Sequence, residues 1–314
     1  FSIAFLLGST IVNLFRLSID RALTNLIVSF LIGYGLVSYI IFFFGLIGLL
    51  EKKIIYFTIL VSLLISHQTW SKANYTRIKY FIKNIYNSIF INSQYALIIN
   101  ILLFSFSIVF LLNGISSLAP PTEADTISYH LAIPSYYARL KEIIFFPYYL
   151  SWGIPLFSEM WNLIGLLLGY ENMGQIFQWL MSLISALTIY VLVSERFSKS
   201  TGLFAATFYY LTPKVIILSS VAKSDITLYA NIFMSMHMIL LWCESKEEKY
   251  FFLSAIFTGL SLATKYQAIN WALGIGLLLI IILFNNKRNY NYLFLKFFQF
   301  VCIALFIVSP WYLR

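Results

Sequence analysis

The chain has 314 residues, of which 61% are hydrophobic and only 11% are charged. A soluble domain carries about 25% charged residues, so this composition excludes a water-soluble globular fold and predicts an all-α, polytopic integral membrane protein. The formal net charge of +9 does not indicate nucleic acid as a partner, because the basic residues lie in short segments between apolar runs, where they orient membrane proteins.

Apolar runs follow one another along the chain and predict about nine to ten transmembrane helices. A span needs about 20 mostly apolar residues, and several runs reach or approach this length. Glycines in the second run allow close helix approach, and Pro213 predicts a kink in the sixth. In chain order, the predicted spans are 1–15, 24–50, 54–66, 95–114, 173–194, 201–221, 225–243, 250–264, 267–284 and 293–311.

The basic residues between the runs set the expected orientation. We expect the basic segment 67–93 in the cytoplasm, because positively charged loops stay inside, and the loop 115–172 therefore lies outside. If the apolar run 154–170 crossed the membrane, Arg196 and Lys199 would lie outside, and every later basic loop would change sides too. This run is therefore expected to be a juxtamembrane or re-entrant helix. The orientation of the first three spans stays open.

The strongest candidate for chemistry in the outer loop is the carboxylate of Asp125. It follows Pro120-Pro121, which end the preceding helix and stiffen the chain. An ionisable residue at the edge of the hydrocarbon is costly unless it is paired or functional. A carboxylate there serves as a general base on a hydroxyl group or as a ligand of a divalent cation; a helix-cap or turn aspartate is the structural alternative. Nearby, His130 either shapes the pocket or is a satisfied structural histidine.

Four further charged residues are expected at the same outer face, and each has a structural alternative. Asp225 follows Ser224, and this pair by itself is an N-cap signature. Glu159 orients a substrate or pairs with a lysine. Lys265 holds a lipid phosphate or snorkels, and the guanidinium of Arg314 suits a phosphate better. Because loop lysines and arginines alone set the orientation, the convergence of these residues supports a site.

A series of short motifs runs through about residues 95–314. In chain order they are Ala119-Pro120-Pro121, Asp125, Ser128-Tyr129-His130-Leu131, Ile133-Pro134, Tyr136-Tyr137, Pro155, Ser158-Glu159-Met160, Leu211-Thr212-Pro213, Lys223-Ser224-Asp225, Gly259-Leu260, Thr264-Lys265-Tyr266 and Ser309-Pro310-Trp311-Tyr312-Leu313-Arg314. This series resembles the motifs of bacterial polytopic glycosyltransferases of the GT-C superfamily, in the group related to protein O-mannosyltransferases and the aminoarabinose transferase of lipid A.

The resemblance implies a GT-C-like fold with two parts. Residues 95–314 are expected to form the catalytic transmembrane module, with 115–172 as its first outer loop bearing juxtamembrane helices. Residues 1–94 are expected to add N-terminal spans and the basic cytoplasmic segment. The chain begins without a methionine and ends directly after an apolar run, so we expect a fragment that lacks a C-terminal part.

The resemblance also implies an inverting hexosyl- or pentosyltransferase that uses a sugar on a polyprenyl phosphate. Asp125 would deprotonate the acceptor, Asp225 would join it as a second catalytic residue, and Lys265 and Arg314 would stabilise the departing phosphate. No cofactor is fixed, but some relatives use a divalent cation, so Mg²⁺ or Mn²⁺ at Asp125 and Asp225 is considered. The residues expected to bind substrate are Glu123, Tyr129, His130, Glu159, Lys223, Lys265, Tyr266 and Arg314.

The expected setting is the outer, periplasmic or extracellular, face of a bacterial inner membrane, with an envelope lipid, glycan or protein as acceptor. The paired Asp-Glu of the mannosyltransferases is absent, since Glu123 and Asp125 are separated by one residue, so no particular acceptor is carried over. Two alternatives remain: a transporter or flippase for a lipid-linked glycan, and a catalytically inactive membrane subunit. A transporter would show polar or broken helices at mid-membrane in paired halves, whereas these ionisable residues cluster at one face.

Overall fold

The computed structural model describes residues 2–67, 96–145, 147, 150–285 and 290–314, and this part of the chain contains helices and no strand. The predicted all-α class is confirmed. A π-helical turn (Thr126–His130) and a 3-10 turn (Leu150–Gly153) lie between α4 and α6. The α-helices are α1 (Ser2–Leu14), α2 (Ala22–Leu46), α3 (Lys52–His67), α4 (Ala96–Ser116), α5 (Ala132–Leu140), α6 (Glu159–Leu168), α7 (Met173–Ser194), α8 (Lys199–Tyr210), α9 (Pro213–Leu218), α10 (Asp225–Ser245), α11 (Glu248–Thr264), α12 (Ala268–Asn285) and α13 (Tyr290–Tyr312).

Five of these helices, α2, α4, α7, α10 and α13, are long and apolar enough to cross a membrane. This supports a multi-pass membrane protein, while the total of nine to ten spans stays a prediction. The basic cytoplasmic segment predicted over 67–93 lies outside the described residues, apart from His67 at the end of α3. Lys287 and Arg288, which form one of the later basic loops, also lie outside them.

Helices α1 and α2 touch through two glycines. A Cβ atom at Gly8 would lie 1.7 Å from the carbonyl oxygen of Ser29, and one at Gly33 would lie 1.6 Å from that of Ala4. No side chain fits at either position, so the two backbones are in direct contact, as small residues allow in membrane helix pairs. The close approach predicted from the glycines of the second apolar run is present at Gly33.

The predicted span 201–221 is wrong as a single kinked helix. The structure divides it into α8, which ends at Tyr210, and α9, which begins at Pro213. Thr212 adopts an extended conformation with ψ 127°, because a residue before proline is forced away from the helical region. Proline has no N–H to donate and takes the first position of α9. The break therefore starts a new helix instead of bending one.

Helix α6 occupies the run 154–170 that was predicted not to cross. It has ten residues, which is about 15 Å at 1.5 Å per residue, and this is too short for a hydrocarbon core of about 30 Å. Most of α6 is buried in the protein, including Glu159 and Asn162. The helix thus brings polar side chains into the interior, against the loops that carry the candidate site.

Candidate active site

Lys223 joins two carboxylates of the loop between α4 and the π-helical turn, Glu123 and Asp125. Its Nζ lies 2.7 Å from Oε1 of Glu123 and 2.7 Å from Oδ2 of Asp125. The other oxygen of Glu123 accepts a hydrogen bond from the amide of Thr126 at 2.8 Å. Partial burial raises the pKa of Glu123, but these hydrogen bonds and the charge of Lys223 outweigh it and lower the pKa to about 2. Glu123 is therefore a fixed anion, while Asp125 remains 55% exposed.

The backbone around Asp125 is set by an unusual turn. Asp125 directly precedes the π-helical turn Thr126–His130, which closes with a hydrogen bond from the amide of Leu131 to the carbonyl of Thr126 at 2.9 Å. π-helical turns are rare and occur frequently at functional sites. The wider turn places the ring of Tyr129 beside that of His130, with centroids 4.1 Å apart.

Asp225 and Lys265 form a second ion pair between two helices. Asp225 is the first residue of α10, and Lys265 directly follows the end of α11. Nζ of Lys265 lies 3.0 Å from each carboxylate oxygen of Asp225. The preceding Ser224 makes no side-chain capping bond, so its predicted N-cap role is not realised. Both partners are largely but not fully buried, at 20% and 18% exposed.

Tyr129 is near enough to both ion pairs for their charges to act on its hydroxyl. Burial is the largest cause that raises the pKa of its hydroxyl to about 12, and the charges of Asp125, Glu159 and Asp225 raise it further, while Lys223 acts in the opposite direction. One side chain thus feels residues from both pairs. The structure therefore brings together the parts of the chain near residues 125, 159, 223 and 225, which are far apart in sequence.

Glu159 and His130 lie behind this exposed cluster. Oε1 of Glu159 is 2.5 Å from Nδ1 of His130, and their side chains are 2% and 1% exposed. Both residues are therefore part of the interior beneath Asp125 and Tyr129.

Arg314 reaches the same end of the bundle but contacts backbone. Its Nη2 donates to the carbonyl of Trp152 at 2.5 Å and to that of Ile154 at 3.0 Å. The guanidinium also lies 5.1 Å from the ring centre of Trp311, and burial lowers the pKa of Arg314. The side chain ties the end of α13 to the segment just before α6. Tyr266, next to Lys265, is 53% exposed.

The described residues do not fit a resident divalent cation. Magnesium and manganese prefer carboxylate, carbonyl and water oxygens, but the carboxylates of Asp125 and Asp225 are each paired with a lysine ammonium. The described chain also has no group of three or more histidine, cysteine or acidic side chains placed to hold an ion.

The sequence analysis did not identify a set of buried polar residues that pack next to Glu159. A buried hydrogen-bond cluster joins the hydroxyl of Tyr34 to Ser158 at 3.2 Å, and Gln178 donates to both Ser158 and Thr227. This cluster connects α2 with α7, α10 and the residue before Glu159. The available signal was a polar residue inside an apolar run, which by itself does not identify its partners.

One family model matches the chain, and its description is dolichyl-phosphate-mannose-protein mannosyltransferase. The match extends over residues 155–313, half of the chain, and includes Glu159, Lys223, Asp225 and Lys265. No curated protein sequence matches. No solved structure matches either.

Proposed function

Because the chain belongs to the dolichyl-phosphate-mannose-protein mannosyltransferase family, we propose that it transfers a hexose or pentose, with inversion, from a polyprenyl phosphate to an envelope acceptor. As a member of this family it is a multi-pass membrane glycosyltransferase. The proposed place of reaction is the outer face of a bacterial cytoplasmic membrane. The proposed acceptor is a hydroxyl group of an envelope lipid, glycan or protein.

The observation that carries this proposal is the exposed carboxylate of Asp125 within a group of paired charges at one end of the bundle. Lys223 holds one oxygen of Asp125 at 2.7 Å, while 55% of the side chain stays exposed. A base must be both fixed in place and reachable by the group it deprotonates. Asp125 meets both conditions.

In the proposed reaction, Asp125 takes the proton of the acceptor hydroxyl as the oxygen attacks the anomeric carbon of the donor sugar. The new bond joins the acceptor oxygen to that carbon, and the bond from the carbon to the phosphate oxygen breaks. Its electron pair leaves with the polyprenyl phosphate. Attack from the side opposite the leaving group inverts the anomeric centre.

The phosphate leaving group needs positive charge, and Lys265 is the nearest candidate to Asp225. Its ammonium is held symmetrically between two carboxylate oxygens, so it is oriented before substrate arrives. A preoriented cation stabilises developing negative charge without reorganisation. Arg314 is the second candidate, positioned by the carbonyls of the outer loop.

An apolar cavity close to Lys265 supports a lipid-linked donor. It has a volume of about 280 Å³ and lies between α11, α12 and α13, with Leu262 and Ile269 among its lining residues. These two residues precede and follow Lys265 by three and four positions. We therefore place the first isoprene units of the donor in this cavity and its phosphate at Lys265.

The test is release of polyprenyl phosphate from a panel of labelled polyprenyl-phosphate hexoses and pentoses, with membrane extract supplying the acceptor. Asp125→Asn is compared with Glu171→Gln, which neutralises an exposed carboxylate of the loop between α6 and α7. We expect release by the parent and by Glu171→Gln, and a loss of about 10²- to 10⁴-fold in Asp125→Asn, the range for removal of a general base.

Three outcomes would count against the proposal. Equal release by the parent and a folded Asp125→Asn variant would remove Asp125 from the mechanism. No release from any donor, together with passage of a glycan lipid across vesicles, would favour a transporter. No release and no passage would favour an inactive subunit.

A further inference from the structure

We propose that Asn162 is a positioning residue that sets the placement of Asp125 relative to Lys223. Asn162 lies on α6 and is 3% exposed. Its Nδ2 donates to the carbonyl of His130 at 3.0 Å and to the carbonyl of Ala222 at 3.3 Å. One amide group thus joins the two loops that meet in the Asp125–Lys223 ion pair. This inference rests on the proposed function.

Helix α6 holds the first of these loops at His130, through both the side chain and the backbone of that residue. Glu159 and Asn162 are three residues apart, so they lie on the same face of the helix. Glu159 contacts the imidazole of His130, and Asn162 binds the carbonyl of the same residue. His130 closes the π-helical turn that begins directly after Asp125. Movement of His130 would therefore move the turn that directly follows Asp125, and Asp125 with it.

The second loop is held at the residue before Lys223. Ala222 is fully buried, and its carbonyl accepts from Asn162. Lys223 then reaches Glu123 and Asp125, and Asp225 starts α10 two residues later. The two bonds of Asn162 therefore fix both sides of the ion pair with respect to α6.

The position of the Asn162 amide is set in turn by Gly174 of α7. A Cβ atom at Gly174 would lie 2.4 Å from Oδ1 of Asn162 and 3.0 Å from Cβ of Ala222. Glycine leaves the space that the amide occupies, and any larger residue would displace it. Asn162 is thus packed between Gly174 and Ala222 and has little freedom to turn.

The experiment compares Asn162→Ala with Asn231→Ala. Asn231 is also buried, but its Nδ2 donates within its own helix, to the carbonyl of Thr227 at 3.0 Å. We expect Asn162→Ala to lower kcat for polyprenyl-phosphate release by about 10- to 100-fold, the cost of a small misplacement of reacting groups, with an unchanged KM for the donor. Asn231→Ala should keep the kcat of the parent per folded molecule.

A merely structural role of Asn162 would give a different result. It would lower the thermal midpoint and the folded fraction, while kcat per folded molecule stayed at the parent value, and that result would overturn the proposal. If Asn162→Ala does not fold, Gly174→Ala is used instead, because its added Cβ would displace the Asn162 amide. Gly274→Ala is the control, since a Cβ added at Gly274 meets nothing within 4 Å.

Hydrogen exchange makes the test independent of turnover. In Asn162→Ala, we expect faster exchange in peptides covering 126–131 and 221–225, whose amides at Leu131 and Lys223 are bonded within these loops. Unchanged exchange in both peptides would overturn the inference. If the parent releases no polyprenyl phosphate from any donor, the proposed function fails, and exchange alone decides whether Asn162 holds the two loops.

Discussion

The two ends of the helix bundle both carry charged groups, but the groups differ in how completely the protein surrounds them. At the end opposite the candidate site, Glu195 contacts Arg21, accepts from Thr24 at 2.6 Å and lies 3.1 Å from Nε2 of His237. Its side chain is 16% exposed, against 55% for Asp125.

This difference separates a structural carboxylate from an accessible one. Arg21 and Thr24 at the start of α2 and His237 of α10 contact the carboxylate of Glu195, which directly follows α7. Glu195 therefore fastens α2 to α7 and α10. Asp125 has a lysine on one oxygen and a largely exposed side chain, so a substrate hydroxyl can still reach it. We therefore expect substitutions at the first end to change stability and at the second to change turnover.

Among substitutions other than Asp125→Asn, the largest expected effect on turnover comes from Asp225→Asn, at the end of the bundle that carries the candidate site. Neutralising Asp225 removes the second carboxylate expected to be catalytic and also the group that orients Lys265, so we expect a loss of about 10³-fold in kcat/KM, within the range for a catalytic carboxylate. The measurement is release of polyprenyl phosphate. Glu248→Gln, which neutralises a carboxylate paired with a lysine at the opposite end, serves as the control. Equal losses in both variants would abolish the distinction between the ends.

The largest effect on stability is expected from Glu195→Gln. Breaking a fully buried ion pair costs about 3–5 kcal/mol. Because Glu195 is partly exposed, we expect about 2 kcal/mol, measured as the free energy of unfolding in detergent. Glu244→Gln, whose partner is Arg196 at 3.1 Å but whose side chain is 48% exposed, should cost about 0–1 kcal/mol. Loss of turnover per folded molecule in Glu195→Gln would contradict a purely structural role.

A smaller effect on turnover is expected from Lys265→Met. Removing its charge should lower kcat/KM by about 10²-fold, the lower end of the loss on removing one group that stabilises developing charge. Lys249→Met is the matched control, because Lys249 is 19% exposed against 18% for Lys265 and pairs with Glu247 at the opposite end. Unchanged turnover in Lys265→Met would leave Arg314 as the remaining candidate for phosphate binding.

The smallest effect is a pH dependence of stability that Glu123 produces. Its pKa in the folded protein is lowered to about 2 from 4.5, so its ionised form stabilises the fold above pH 4.5, and this contribution is lost as the pH falls from 4.5 towards 2. The thermal midpoint of the parent minus that of Glu123→Gln should be constant above pH 5 and shrink below 4.5. If this difference in thermal midpoint instead grew as the pH fell, the ion pair of Glu123 would not be the source of the pH dependence.

The class and many element boundaries could be predicted from the sequence. The apolar run 225–243 corresponds to α10 at Asp225–Ser245, and the run 173–194 corresponds to α7 with the same bounds. Long apolar runs leave little choice of secondary structure other than a helix, because a backbone in hydrocarbon must satisfy its hydrogen bonds internally. The sequence predicts only a kink at Pro213, because it does not reveal whether neighbouring helices hold the two halves of the run in line.

The candidate site was predicted in part. Asp125 and Asp225 were identified as ionisable residues at the edges of apolar runs, and their roles stay predictions. The sequence did not predict which lysine pairs with which aspartate, because the partners are distant along the chain. Lys223, for example, is 98 residues from Asp125. Asn162 gave no signal beyond a polar residue in an apolar run, although its amide spans two loops.

The sequence by itself determined that this chain is a helical membrane protein with carboxylates between its apolar runs, since composition and run length are local properties that hydrocarbon constrains strongly. Tertiary structure alone decided which charges meet: Lys223 with Asp125, Lys265 with Asp225, and Glu159 with His130 in the interior. A charge near the membrane is costly unless a partner is found, but many partners satisfy that requirement. The packing of α6, α7, α10 and α11 selects among them.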